Sequence, residues 1–203
     1  SLLRVNEMLG ALAEVCPIIM LPGNHDMAFL NQTGISLPAN YKNHENIIVI
    51  SEVVEFDLPS YKFIFIPFSN DIENIITNLC DTLDFDSTRI NLFSHFGVST
   101  FKVHDYASEL VNDNAAQINF NALRKFNKIY LGHYHGYQSD GNVTYVSAPL
   151  QSKHGDELSQ HGFVIYDLAN DTHKFIENSI TPHFVTYDLN KKNVQEMMKL
   201  TDH

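Results

Sequence analysis

Apolar and polar positions follow one rhythm after another along this chain, and its candidate chemistry sits where those rhythms stop. Leu2, Leu3, Val5, Met8, Leu9, Leu12 and Val15 recur at helical spacing and predict a helix over 2–14. The continuous apolar run Pro17-Ile18-Ile19-Met20-Leu21, closed by Pro22-Gly23, predicts a buried strand over 17–21 that ends in a tight loop carrying Asn24, His25 and Asp26. The same design returns twice: a strand over 90–94 runs into His95, and a strand over 128–132 runs into His133-Tyr134-His135-Gly136. Each of these ends delivers imidazole or amide groups, and in open α/β sheets the carboxyl ends of strands are where sites are built, so all three are expected at one sheet edge.

Between these runs, 27–46 reads as an irregular excursion. Three short β-rich runs follow at 47–50, 53–58 and 61–67, the last two joined as a hairpin by Pro59-Ser60. Ile72, Ile75, Ile76 and Leu79 share one face of a helix predicted over 71–83. The polar segment 97–119, with His104, Asp105, Glu109 and Asp113, is expected as a loop or lid beside the site, and a helix is expected near 120–126. After 132 the alternation of strand and helix gives way to strands alone, at 143–147, 162–168, 173–178 and 184–189, separated by turn-forming Asp140-Gly141, Ala169-Asn170-Asp171 and Thr181-Pro182. A last helix is expected to open over 191–200.

Composition narrows the class. The chain has 203 residues, 44% of them hydrophobic, enough for one core with a small appended unit. No apolar stretch approaches the roughly 20 residues of a membrane span, and with Arg4, Asn6 and Glu7 in a helical pattern no signal peptide is visible at the first residues. The helix that opens at Ser1 without a cap reads as a chain entered partway. Cys16 and Cys80 show no CxxC spacing and are read as buried free thiols of a cytoplasmic protein, host cytoplasm if the chain is phage-encoded. With 24 acidic against 13 basic residues the formal net charge is −11, which argues against holding nucleic acid by bulk electrostatics. Divalent cations would reverse the field locally whatever the average.

Asn24, His95, His133 and His135 offer neutral nitrogen and oxygen donors, suited to Mn, Fe or Zn and not to a Ca or Mg cage. His44, His104, His173, His183 and His203 lack a strand-end setting and are read as ordinary surface or core side chains. No Ser-His-Asp or Cys-His arrangement is apparent.

Gly23-Asn24-His25-Asp26, Ser94-His95 and Gly132-His133-Tyr134-His135 resemble, in order and spacing, the third, fourth and fifth motifs of the calcineurin-like metallophosphoesterases, with Ser94 where that family usually has Gly. Downstream, Asp140-Gly141-Asn142-Val143-Thr144-Tyr145-Val146-Ser147-Ala148-Pro149-Leu150-Gln151, Gly162-Phe163-Val164-Ile165-Tyr166-Asp167-Leu168 and Thr181-Pro182-His183-Phe184-Val185 are similar to the SbcD-type DNA repair nucleases and the phage recombination endonuclease subunits. The resemblance covers about residues 5–190. It implies an α/β fold, the four-layer metallophosphoesterase sandwich, over 1–150, followed by a β-rich capping region over 151–203.

The implied activity is metal-dependent hydrolysis of DNA phosphodiesters in recombination or double-strand-break repair. Two divalent ions, Mn before Mg, Fe or Zn, activate water for in-line attack. Carried over by motif, Asn24, His95 and His133 hold one metal and His135 the other, His25 steers or protonates the leaving group, and Asp26 fixes the loop. The implied partners are DNA and an SMC-like ATPase, with a homodimer compatible. The family's DxH and GDxxD motifs, which supply the carboxylate that bridges the metals, have no counterpart in Ser1 to Cys16, so a chain with these motifs alone is expected to bind at most one ion weakly and to lack nuclease activity. The alternatives are a nucleotide phosphodiesterase or phosphoprotein phosphatase of the same superfamily, which the net acidity favours, and a non-catalytic partner-binding scaffold. Ser147 to Glu157 is expected as a loop near the site, with Lys153 and His154 available to a DNA phosphate.

Overall fold

A computed structural model of the chain describes residues 2–27, 36–101, 117–118 and 120–185. The expected lid with His104, the strand beyond Val185 and the last helix lie outside these residues.

The helix read from the first apolar rhythm is present as α1 (Leu2–Val15). Leu9 and Ala13 bury its inner face on a small parallel sheet of β1 (Ile18–Met20) and β2 (Ile47–Val49), together with Ile18, Met20, Tyr41 and Val49. The pairing is extended at both ends, where Ile18 N–H donates to Asn46 O and Ile50 N–H to Met20 O. Cys16, just past the helix, is exposed rather than buried, because it falls between the last turn and the first strand; both cysteines are free thiols.

The main sheet follows. The predicted hairpin is β3 (Val54–Leu58) and β4 (Tyr61–Ile66), with Leu58 opposite Tyr61 across Pro59-Ser60. Helix α2 (Ile72–Thr82) carries the chain to β5 (Arg89–His95). A short parallel pair, β6 (Gly97–Val98) with β7 (Gln117–Ile118), precedes β8 (Lys128–Gly132). β9 (Gln138–Asp140) and β10 (Val143–Tyr145) complete a six-stranded sheet in the order β3-β4-β5-β8-β10-β9, parallel from β4 to β10 and antiparallel at both edges. Parallel strands covered on both faces read as continuous apolar runs, which is the pattern of 61–67, 90–94 and 128–132.

Side chains alternate across this sheet. Ile64, Ile66, Ile90, Leu92, Ile129, Leu131, Val143 and Tyr145 face a core closed by Ile72, Ile76 and Leu79 of α2 and by Leu123 and Phe126. Each such fully buried aliphatic side chain contributes roughly 1.5–3 kcal/mol. The helix expected near 120–126 is a 3₁₀ helix, Phe120–Lys125. Asn142 Nδ2 staples its end by donating to Leu123 O at 2.9 Å and Phe126 O at 2.6 Å, which occupies two carbonyls at the end of the helix.

The opposite face presents a row of rings: Phe65 on Phe93 at 4.7 Å and Phe93 on Tyr130 at 5.5 Å between centroids. The hairpin of β11 (Gly162–Asp167) and β12 (Thr172–Glu177) docks on this face. Tyr166 Oη accepts from Asn91 Nδ2 at 3.0 Å and donates to Asp171 Oδ1 at 2.6 Å, while Asn127 Nδ2 joins Asn91 and Asp171. Burial, then the neighbouring carboxylate, raise the Tyr166 pKa, so the phenol keeps its proton. β1 meets the same face from another side across a cavity of about 260 Å³ lined by Ile19, Leu21, Phe93, His95 and Tyr130, among others. Strand β1 therefore does not join the sheet of β5 and β8, as the common edge had implied; it belongs to the separate pair with β2. No described helix is long and apolar enough to cross a membrane.

Candidate active site at three strand ends

Although β1 lies in another sheet, its loop meets the ends of β5 and β8. Pro22 O accepts from Phe68 N–H at 3.0 Å, tying the loop to the chain beyond β4. Asn24–Asp26 form one 3₁₀ turn, and Asp26 Oδ2 accepts from Gly23 N–H at 2.8 Å, so Asp26 holds the loop as expected of it. His95, the last residue of β5, donates from Nε2 to Asn24 Oδ1 at 2.9 Å. Its predecessor Ser94 is buried and donates from Oγ to Ile66 O at 2.8 Å, which accommodates a hydroxyl where the resembled family has Gly.

The His95 ring is wedged between two glycines. A Cβ on Gly23 would lie 2.5 Å from its Cε1, and a Cβ on Gly132, its partner in the β5–β8 register, 2.7 Å from its Nδ1. Both positions need glycine because backbone and imidazole touch. Burial, followed by the neighbouring His133, His25 and His135 imidazoles, pushes the His95 pKa down to about 3, so the ring is neutral over the physiological range.

His133 lies beside it, ring centroids 5.3 Å apart and nearly perpendicular. Its backbone sits at φ 100°, a region that a side chain rarely adopts, at a strain of roughly 1–3 kcal/mol. The break from strand alternation turns His133 and His135 away from the alternation while Tyr134 between them is buried, its ring 4.6 Å from Tyr145. His25 is exposed and the other histidines half-buried. The structure thus brings Asn24, His25, His95, His133 and His135 together. It also places His44 and His173 elsewhere: His173 packs on Tyr130 and Tyr137, and Asn46 N–H donates to His44 Nδ1.

Two residues escaped the reading of the sequence. Asp156, 1% exposed, accepts at Oδ2 from Ser152 N–H (2.9 Å), Ser152 Oγ (3.1 Å) and Lys153 N–H (3.2 Å), and its Oδ1 lies 3.4 Å from His135 Nδ1. Burial opposes its ionisation, but the Ser152 backbone and hydroxyl donors and the facing imidazole outweigh it, and its pKa falls below the usual carboxylate value. His161, 3% exposed, sets Nδ1 3.3 Å from Ala148 O and Nε2 3.2 Å from Asp156 O. The expectation that 147–157 lies near the site holds, but this segment is not simply solvated. Among the described residues no three His, Cys, Asp or Glu side chains stand ready as a metal-binding group. A larger cleft of about 1070 Å³, at the opposite end of β5 around Arg89 and Lys125, is lined by none of Asn24, His25, His95, His133, His135, Asp156 and His161.

Comparison with protein-family models finds no match. Over 61 residues, 30% of this chain, the sequence is 31% identical to exonuclease subunit 1 of Enterobacteria phage T4, and the matched stretch spans 18% of that protein. This chain is therefore similar, over a limited stretch, to a phage nuclease subunit.

Proposed function

We propose that the chain carries part of a dimetal phosphoesterase that hydrolyses DNA, within a four-layer metallophosphoesterase sandwich. The observation that carries this reading is the convergence of Asn24, His95, His133 and His135, with His25 exposed beside them, from three separate loops. The order α1, β1–β2, six-stranded sheet, α2 supports the layering. The donor set fits a transition-metal ion: His95 Nε2 and Asn24 Oδ1, 2.9 Å apart, have the spacing of two adjacent ligands each about 2.1 Å from one cation. Asn24, His95 and His133 would hold one ion and His135 the other.

Two divalent cations, Mn foremost, supply Lewis acidity that offsets phosphate charge and acidifies water. His95 stays neutral, and with its ring proton on Nδ1 in place of the Nε2–H that bonds Asn24 it would offer Nε2 as a ligand. Exposed His25 is the side chain placed to serve the leaving oxygen, and Asp26 keeps its loop closed. Charge compensation would come from carboxylates at Asp-x-His and Gly-Asp strand ends of the resembled family, which have no counterpart in Ser1 to Cys16. The name of the phage relative, a subunit, supports a protein partner; we infer an SMC-like ATPase. The net charge of −11 favours a second reading, hydrolysis of small phosphodiesters or phosphoproteins.

Mn titration followed by electron paramagnetic resonance tests the site: one weakly held ion is expected, lost in His133→Ala and kept in His44→Ala. Equal loss in both variants would sink the assignment. Extending the chain at its N-terminus with a segment bearing Asp-x-His and Gly-Asp strand ends is expected to confer Mn-dependent cleavage of linear duplex DNA. An extended protein that cleaves bis-p-nitrophenyl phosphate and leaves DNA intact would give the second reading the site.

A further inference from the structure

We propose that Asp156 is a positioning residue for this site: its carboxylate fixes His135 as the Nδ1–H tautomer and leaves Nε2 with its lone pair. The inference rests on the phosphoesterase reading for what Nε2 would ligate; the tautomer is a property of the chain alone.

A carboxylate 1% exposed is tolerated only if its lone pairs are engaged. Oδ2 receives two backbone N–H groups and the Ser152 hydroxyl, and the imidazole faces both carboxylate oxygens, with Nδ1 3.4 Å from Oδ1 and 3.5 Å from Oδ2, a long and weak hydrogen bond. An ionised carboxylate accepts and cannot donate, so the ring nitrogen facing it must carry the proton. Ser152 Oγ, also 3.4 Å from Nδ1, already donates to Asp156 and turns a lone pair to the ring, which favours the same tautomer.

The rest of the loop keeps Asp156 from drifting. His135 O accepts from Ala148 N–H at 2.8 Å and Ser147 Oγ at 3.0 Å, so backbone and ring of His135 are gripped by the same segment. His161 bridges the two ends of that segment through Ala148 O and Asp156 O. Ligating histidines generally donate their second N–H to a carboxylate or carbonyl, and removing that partner lowers metal affinity about 10–100-fold. Asp156 stands in that relation to His135, and the polar run around it is a built support.

The test is imidazole ¹⁵N–¹H correlation NMR on the metal-free chain at alkaline pH, with Mn titration of the N-terminally extended protein in parallel. Wild-type His135 is expected as Nδ1–H. Asp156→Asn keeps an oxygen for the Ser152 and Lys153 N–H groups but turns an amide donor to the ring; the chain should fold, His135 should switch to Nε2–H, and in the extended protein the affinity for the ion that His135 would hold should fall about 10–100-fold. A wild-type His135 found as Nε2–H overturns the proposal, as does D156N with tautomer or Mn affinity unchanged. Should D156N fail to fold, the wild-type tautomer decides alone. Nδ1–H at wild-type His135, in a protein whose extended form binds no Mn, would refute the phosphoesterase reading while upholding the coupling of Asp156 to His135.

Discussion

Gly132→Ala is the sharpest mechanical probe of the site. The added Cβ would stand 2.7 Å from His95 Nδ1, where ordinary contact begins near 3.4 Å, so the ring must retreat by about 0.7 Å. It cannot retreat freely, because a Cβ-sized space on its other side is already closed against Gly23. A shift of that size carries Nε2 out of hydrogen-bond range of Asn24 Oδ1, now at 2.9 Å. Overpacking at roughly 1–3 kcal/mol and one lost bond near 1 kcal/mol together predict a destabilisation of about 2–4 kcal/mol. Gly10→Ala is the matched control. Nothing lies within 4 Å of its Cβ position inside α1, so alanine should stabilise by about 0.5–1 kcal/mol. Urea unfolding of both variants reads the difference as opposite shifts of the midpoint at unchanged slope. Midpoints that move together would mean that His95 is not wedged and that the glycines serve another purpose.

His25→Ala, made in the extended protein, should keep Mn occupancy while turnover drops roughly 10²–10⁴-fold, the range of a positioned acid; loss of the metal with it would assign His25 a ligand's role. Lys153→Glu, on an exposed side chain, should weaken DNA binding and lower the magnitude of the salt slope by about one, and an unchanged slope would remove Lys153 from the interface. Acid should destabilise the fold through His95, held to about 3 by burial and neighbouring imidazoles, and through His173, lowered by burial and then Lys128. Both bind protons more readily unfolded, so their contribution is complete above 6.5 and is lost as pH falls below it, for His95 on the way toward 3. Unfolding free energies between pH 8 and 4 should decline less steeply in His95→Gln, and an equal decline would place the linkage elsewhere.

The strand ends were legible because the physics is local. An apolar run covered on both faces must stop where the chain leaves the sheet, and His95, His133 and the Asn24 loop sit at those stops. The layer that β1 occupies was not legible, since its three apolar residues pair equally well with β2 or with a longer sheet, and only the packing of Leu9 and Ala13 decides. Strand β9 escaped because Gln138-Ser139-Asp140 is polar and owes its extension to pairing with β10. Asp156 and His161 escaped for a related reason. A polar run without period looks solvated, and their burial arises from a loop that folds back on His135. Cys16 shows the reverse error, an apolar neighbourhood in sequence that becomes surface at a helix end.

The left-handed backbone of His133, at φ 100°, has a consequence for how this chain would respond to selection for stability. Glycine is at ease at that angle and histidine is not, so His133→Gly should raise the melting temperature even as it empties a proposed ligand position. A screen that rewarded only thermal survival would find this substitution early and discard the chemistry with it. The strain at one residue is thus a local record that something other than folding has kept an imidazole there.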